Sequence, residues 1–272
     1  GVRKILALMA PATLANGTTQ INVLINTQIA SWLVEGSISW LSFAFRLMQL
    51  PIGIFGVALG QASQPRIKLH LTRGETAEAR EALIHALALV FVCTVPATMV
   101  LMVLARPIVG LLYEYRHFNA YAADQTAAAL AYDAIGLVGF SAAKVLAPAY
   151  YALDDSRVPV RASIAAVISN VILSFALMKP LGHCGLALAT SLNGLVNMAL
   201  LLAPMRHRLP GFRIARVLDS LGRVLVASAG MGLVCHFAAG ALAGWLGTAS
   251  PFARLATVSL SMGAGLVALI PL

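Results

Sequence analysis

The chain has 272 residues, of which 60% are hydrophobic and only 11% are charged. A soluble domain has about 25% charged residues, so this composition excludes a soluble domain and predicts a membrane protein. The apolar runs are continuous and do not alternate with a period of two, which indicates helices and not a transmembrane β-barrel. The net charge of +9 does not indicate nucleic-acid binding, because lysine and arginine mark the cytoplasmic side of membrane proteins.

Hydrophobicity predicts an all-α polytopic membrane protein with eight transmembrane helices. The predicted segments are 5–33, 37–65, 83–104, 123–153, 159–178, 186–204, 217–245 and 252–272. Lysines and arginines gather in the loops on the side that holds the start of the chain, so we expect that end in the cytoplasm. Residues 206–216 form a basic link between the sixth and seventh segments.

The first segment carries uncharged polar residues near one helix face. Asn16, Gln20 and Asn26 are the amides of this series. Amide side chains in a membrane helix can bond to a neighbouring helix or line a wet cavity. The sequence leaves both interpretations open.

The second segment carries Arg46 well inside an apolar run. At about 1.5 Å per residue, this arginine lies on the order of 12 Å from the start of the run, inside a hydrocarbon core roughly 30 Å thick. A cation at such a depth costs at least about 2.5 kcal/mol, and usually faces a bundle interior or a cavity. Arg46 is therefore a candidate functional residue. The alternative is a structural arginine that snorkels or pairs with a carbonyl group.

One face of this second helix combines the cation with small residues and amides. At 100° per residue, Arg46, Gly53 and Gly60 fall on nearly one line, with Gln49 and Gly56 close by. Small residues let membrane helices approach closely. Pro51 lacks a backbone N–H, so we expect a kink there.

Lys144 is a second intramembrane cation, near the middle of the fourth segment. It could serve a cavity or snorkel to an interface. Asp133 lies nearer an end of the same segment. The spacing allows the two to pair only across helices.

Sequence motifs for catalysis and metal binding are absent from the chain. There is no glycine-rich phosphate loop, HExxH, CxxC or GxSxG motif, and Cys93, Cys184 and Cys235 are isolated. We therefore predict no enzyme activity, no cofactor and no metal site. With no ATPase element, any transport would depend on an ion gradient, the membrane potential or substrate supply.

Three stretches resemble the MurJ/MviN family of lipid II flippases, in the order in which that family has them. They are QINVLINTQIASWL (20–33), RLMQLPIGIFGVALG (46–60) and KVLAPAYYALDDSRVPVR (144–161). The family belongs to the multidrug/oligosaccharidyl-lipid/polysaccharide (MOP) exporter superfamily and has two six-helix lobes followed by two extra helices. The resemblance implies that residues 1–205 form the second lobe, 206–216 a cytoplasmic link, and 217–272 the extra helices with a groove for a lipid tail.

The resemblance also implies a function and a site. The chain would flip lipid II, the peptidoglycan precursor, across the bacterial inner membrane by alternating access. Its partners would be membrane lipids and a missing N-terminal lobe. Arg46 would contact the pyrophosphate, and Lys144 would support the positive potential of the cavity. Gln49, Asn16, Gln20 and Asn26 would also line the substrate path. The chain departs from the family at Phe45 and Gln49, where many relatives have an acid.

Other functions remain open at this stage. A drug or polysaccharide-lipid exporter of the same superfamily would share the fold. The chain could also be an inactive fragment, since one lobe holds only half of a two-lobe cavity. An intramembrane enzyme would need clustered histidine, aspartate or serine at one depth, a pattern that the sequence lacks.

Overall fold

The computed structural model describes residues 20, 22–114, 118–246, 255–256 and 258–263, with the side chains of 242–246 left out. Its secondary structure is helical throughout. The helices are α1 (22–30), α2 (Ser37–Pro51), α3 (Ala58–Thr72), α4 (Thr76–Val103), α5 (Ala105–Tyr113), α6 (Ala120–Ala134), α7 (Leu137–Ala152), α8 (Arg157–Leu181), α9 (His183–Arg208) and α10 (Ile214–Leu246).

Among the described residues, five stretches of helix are long and apolar enough to cross a membrane. They are Ser37–Thr72, Thr76–Val103, Arg157–Leu181, His183–Arg208 and Ile214–Ala241. Helices α6 and α7, bent by 45° at their break, can form a sixth span. These six match the second to seventh predicted segments, so the all-helical membrane fold is confirmed.

The first and last predicted segments lie mainly outside the described residues. Within them, residues 22–30 and 258–263 are helical. The count of eight transmembrane helices therefore stays a prediction, as does the division into a lobe, a link and an extra helix pair.

The second span differs from its prediction in two ways. A π-helical stretch, Ile52–Val57, follows directly after Pro51 and joins α2 to α3. Proline has no N–H for the normal helical hydrogen bond, and a π-turn is one way in which a helix absorbs that defect. The helix also continues through Pro65 to Thr72, beyond residue 65 where the second segment was predicted to end. Polarity alone does not end a helix that extends beyond the apolar layer.

The core lies between α3, α4, α7 and α9. Its largest fully buried side chains include Leu83, Phe91, Leu146 and Tyr150. Helix α10 packs against α4 through Met231, which contacts the cluster around Leu104.

Small residues allow α7 and α9 to come very close together. A Cβ atom added to Gly139 would stand 2.5 Å from the backbone of Gly194. A Cβ atom added to Gly136 would stand 2.6 Å from the Cα atom of Ser191. This packing of backbone against backbone is typical of membrane helices, where small residues replace large apolar contacts.

Candidate substrate cavity

The larger cavity, which we call the lysine cavity, has a volume of about 330 Å³ and lies between α1, α2, α7, α8 and α9. Its polar lining consists of lysine, amide and hydroxyl side chains: Asn22, Gln49, Lys144, Tyr151, Ser163, Asn193 and Asn197. The structure thus brings Lys144 and Gln49, both predicted site residues, to one cavity. A wall of one cation and several amides can bind an anion together with neutral polar groups.

Lys144 is the only charged side chain among the described residues that line this cavity, and it is exposed. It takes part in none of the ion pairs formed among the described residues. Its charge is therefore available to a ligand. The backbone of α7 beside it packs against Gly60 of α3, which holds Lys144 in place.

Two asparagines of α9 present unpaired amide oxygens. Asn193 is only 4% exposed and its Oδ1 atom has no hydrogen-bond partner among the described residues. The Oδ1 atom of Asn197, one turn later, is also buried without a partner there. A buried amide oxygen without a partner carries a free-energy cost that a ligand hydroxyl or N–H group would remove.

Arg46 lies outside this cavity. Its side chain is exposed, and its guanidinium carbon lies 5.7 Å from the centre of the Phe43 ring. That ring packs against Tyr113 at 4.7 Å and Phe118 at 5.3 Å between centroids. Arg46 therefore borders an aromatic cluster on the open face of α2.

The single polar face predicted for the second span is not preserved, and this prediction was wrong. Gly53 is exposed, with no atom within 4 Å of an added Cβ atom, whereas Gly56 and Gly60 are buried against α7. The π-helical stretch between Pro51 and Ala58 takes up more residues per turn than an α-helix. The helix face therefore rotates, and Arg46 and Gly60 no longer point the same way.

The amides of α1 bond to two other helices. Asn170 of α8 donates through Nδ2 to the Oδ1 atoms of Asn22 and Asn26, the latter at 2.8 Å. Asn26 in turn donates to Oγ1 of Thr190 in α9 at 3.1 Å. Asn26 of the predicted series thus bonds to neighbouring helices and also lines a cavity, as does Asn22.

Sequence reasoning did not single out Asn22. It stands four residues before Asn26, and this spacing places both on one helix face, which could have indicated it. Gln20 is exposed and helical. Asn16 lies outside the described residues.

The turn after α7 ties three helix ends together. Lys68 of α3 pairs with Asp154 at 3.1 Å, and Arg208 of α9 pairs with Asp155 at 2.6 Å. Tyr150, near the end of α7, donates to the carbonyl oxygen of Leu201 at 2.6 Å. These contacts fix one end of the helices that line the lysine cavity.

Comparison with known proteins supplies the family. The family model described as "Lipid II flippase MurJ" matches residues 1–256. The chain belongs to the MurJ family. The resemblance carried by the three sequence stretches is thereby confirmed.

Curated MurJ relatives agree with this assignment. A Burkholderia cenocepacia protein named "Lipid II flippase MurJ" is 35% identical over 208 residues, which are 76% of this chain and 40% of the relative. A Rhizobium meliloti protein named "Probable lipid II flippase MurJ" is 34% identical over 267 residues, which are 98% of this chain and 49% of the relative. The chain thus spans less than half the length of these MurJ proteins.

Solved structures share the fold. A lipid II flippase MurJ in an inward closed conformation superposes with a TM-score of 0.79 at 24% identity, covering 98% of this chain and 54% of that one. An outward-facing multidrug resistance MATE transporter of the MOP superfamily gives a TM-score of 0.64 at 16% identity, covering 97% and 63%. This chain therefore shares the helical fold of these two solved transporters.

Proposed function

We propose that this chain contains the second lobe of a lipid II flippase together with its two extra helices, and that the lysine cavity is the part of the substrate path that this lobe contributes. The observation that carries the proposal is the convergence of unpaired Lys144 with Gln49, Asn193 and Asn197 on one 330 Å³ cavity. The names of the MurJ relatives support lipid II as the substrate. The proposed activity is transport, so the cavity needs only to bind the head group of the lipid and release it.

The chemistry of the cavity suits a pyrophosphate joined to a sugar. The Lys144 ammonium group is a strong hydrogen-bond donor to phosphate oxygen, and a partly desolvated site strengthens that interaction. The free amide oxygens of Asn193 and Asn197 accept hydrogen bonds from sugar hydroxyl or amide N–H groups. The cavity thus offers one cation for a charged group and several amides for neutral polar groups.

Arg46 serves a second, outer contact in this proposal. Its exposed guanidinium group lies beside Phe43 on α2, and we place the first lobe of the longer relatives against this face. A guanidinium fork binds phosphate through two parallel hydrogen bonds. Arg46 would therefore contact the pyrophosphate from the interface between the two lobes.

The proposal also covers the location of the chain in the membrane and its division into parts. The chain lies in the bacterial inner membrane with its first residues in the cytoplasm, because its lysines and arginines gather in the loops on that side. Residues 1–205 are the lobe and 206–216 are the basic link. Residues 217–272, which include most of α10, are the pair of extra helices and form a groove for the polyprenyl tail.

Binding to the purified chain tests the cavity. In nanodiscs, we expect lipid II to bind more tightly than a neutral diacylglycerol of similar size. Lys144→Gln should weaken lipid II binding about tenfold, which corresponds to ~1.4 kcal/mol, while Lys144→Arg should retain most of it. Lys179→Gln is the matched control, since Lys179 is an exposed lysine at the end of α8, away from the cavity. Equal loss in both glutamine variants would contradict a site at Lys144.

Transport is tested in a complete protein. The chain replaces the corresponding half of the Burkholderia cenocepacia relative, and the chimera is expressed in a flippase-depleted strain. Growth should be restored by the chimera and abolished by Arg46→Ala, with equal amounts of protein in the membrane. Normal growth of the Arg46→Ala chimera would refute the role of this arginine. Drug efflux without restored growth would favour an exporter, and failure of the unmutated chimera would favour an inactive fragment.

A further inference from the structure

Asp133 is a buried carboxyl group that the proposed substrate path does not use. It is 3% exposed and lies in the last turn of α6, immediately before the bend into α7. Its Oδ1 atom has no hydrogen-bond partner among the described residues. The side chain lines a second cavity of about 150 Å³ between α1, α2, α6, α7 and α9, which we call the aspartate cavity.

Charged and titratable groups on the neighbouring helices do not reach this carboxyl group. Arg46 of α2 is exposed beside Phe43, and Arg106 of α5 pairs with Glu114 and Asp124. His183 of α9 lies near the carbonyl of Gln125, at 3.3 Å. The charged groups of α4 lie in its first turns, and its His85 does not line the aspartate cavity. Lys144 of α7 lines the lysine cavity instead. Among the described residues that line the aspartate cavity, Asp133 alone can titrate.

Four of the five neutral polar side chains that line the aspartate cavity, Asn22, Asn26, Thr27 and Thr190, already form hydrogen bonds. The Oδ1 atoms of Asn22 and Asn26 accept from Asn170. Thr190 Oγ1 accepts from Asn26 and donates to the carbonyl oxygen of Leu186. Much of the remaining wall is apolar, including Leu41 and Phe140. Asp133 is the one carboxylate among the described residues that line this cavity, whereas Ca²⁺ and Mg²⁺ are held by several oxygen ligands with carboxylates among them.

A carboxylate removed from water without a cationic partner is unstable in its charged form. The simplest way to remove that charge is to bind a proton. We propose that Asp133 is a proton-binding site, protonated in the conformation observed here and ionised when the aspartate cavity opens to water. On opening, the O–H bond breaks heterolytically, the proton passes to water and the electron pair stays on the carboxylate.

The position of Asp133 links its proton to a movement of the helices. The carboxyl group lies just before the break between α6 and α7, and broken helices in transporters commonly carry the coupling-ion site. The ionised form requires water, so it favours an opened arrangement of α1, α6 and α9. The protonated form favours the closed one. This inference concerns an ion and does not depend on which lipid the chain transports.

Infrared spectroscopy of the purified chain in nanodiscs tests the proposal. We expect a protonated-carboxyl C=O band that persists at neutral pH, well above the ordinary aspartate pKa of about 3.9, and that shifts in D₂O. Asp133→Asn should remove this band without loss of folding, because the amide imitates the neutral carboxyl group in size. Asp124→Asn, on the same helix but exposed and paired with Arg106, should leave the band unchanged.

Two results would overturn the proposal. The first is the absence of a protonated-carboxyl band at neutral pH in the unmodified chain, or its survival in Asp133→Asn. The second is a stabilisation by Na⁺ relative to K⁺, at constant pH, that disappears in Asp133→Asn, since this would assign a metal ion to the site. The lipid II binding measurement remains a separate test, so failure of one proposal is distinguishable from failure of the other.

Discussion

Gly60 lies directly against the backbone carbonyl group of Lys144. A Cβ atom added to Gly60 would stand 2.2 Å from the carbonyl oxygen and 2.9 Å from the carbonyl carbon. This carbonyl group precedes Pro148 by four residues, and proline has no N–H to donate to it. Gly60, which has no side chain, therefore packs against α7 at a carbonyl group that has no helical N–H donor. This contact sets how α7 presents Lys144 to the lysine cavity.

Gly60→Ala should destabilise the protein by about 1–3 kcal/mol, because the added methyl group must push α3 away from α7. Thermal unfolding of the detergent-solubilised chain measures the change. Gly53→Ala is the matched control, since an added Cβ atom at Gly53 meets no atom within 4 Å. Equal unfolding midpoints for the two variants would show that the close contact has no energetic consequence.

Tyr150→Phe should lower stability by about 1 kcal/mol, the usual net contribution of one hydrogen bond. The change removes the buried bond from the Tyr150 hydroxyl group to the carbonyl oxygen of Leu201, which joins α7 to α9. Tyr151→Phe on the same helix is the control, because Tyr151 lines the lysine cavity and is only half-buried. The prediction fails if Tyr151→Phe is the more destabilising of the two in the same unfolding experiment.

Asp155→Asn should be more destabilising than Asp154→Asn, although the two residues are adjacent. The side chain of Asp155 is 12% exposed and pairs with Arg208, whereas that of Asp154 is 85% exposed and pairs with Lys68. We expect a loss on the order of 1 kcal/mol at Asp155, discounted for the half-exposed arginine, and close to zero at Asp154. Repeating the comparison at high salt should leave the Asp155 effect the larger one. The opposite order would indicate that burial does not decide the strength of these pairs.

Asn170→Ala should destabilise the packing of α1 by about 1–2 kcal/mol, because it removes the donor from the Oδ1 atoms of the half-buried Asn22 and Asn26. Hydrogen exchange measured by mass spectrometry should show that the substitution accelerates exchange in residues 22–30 more than in α9, each compared with the unmodified chain. Asn193→Ala removes an amide of similar burial whose Oδ1 atom has no described partner, so its effect on α1 should be small. Unchanged exchange of residues 22–30 in Asn170→Ala would contradict this role.

The outcome for the candidate site differs from residue to residue. Lys144 and Gln49 were named from the sequence and lie together in the lysine cavity. Arg46 was named from its depth in an apolar run, yet it lies on a different surface. Asn193 and Asn197 were visible only as polar insertions in the sixth segment. Which of several buried polar residues converge depends on how separate helices pack, and no local pattern contains that information.

The sequence by itself determined that this is an all-helical membrane protein, where six of its spans lie and to which family it belongs. These properties follow from continuous apolar runs and from local motifs, since each helix satisfies its own backbone hydrogen bonds in lipid. Only the tertiary structure decided that Gly60 meets the carbonyl of Lys144, that the π-turn after Pro51 separates Arg46 from that contact, and that Asp133 faces a cavity without a partner. These relationships join residues from different helices, so they depend on the rotation and close packing of whole helices.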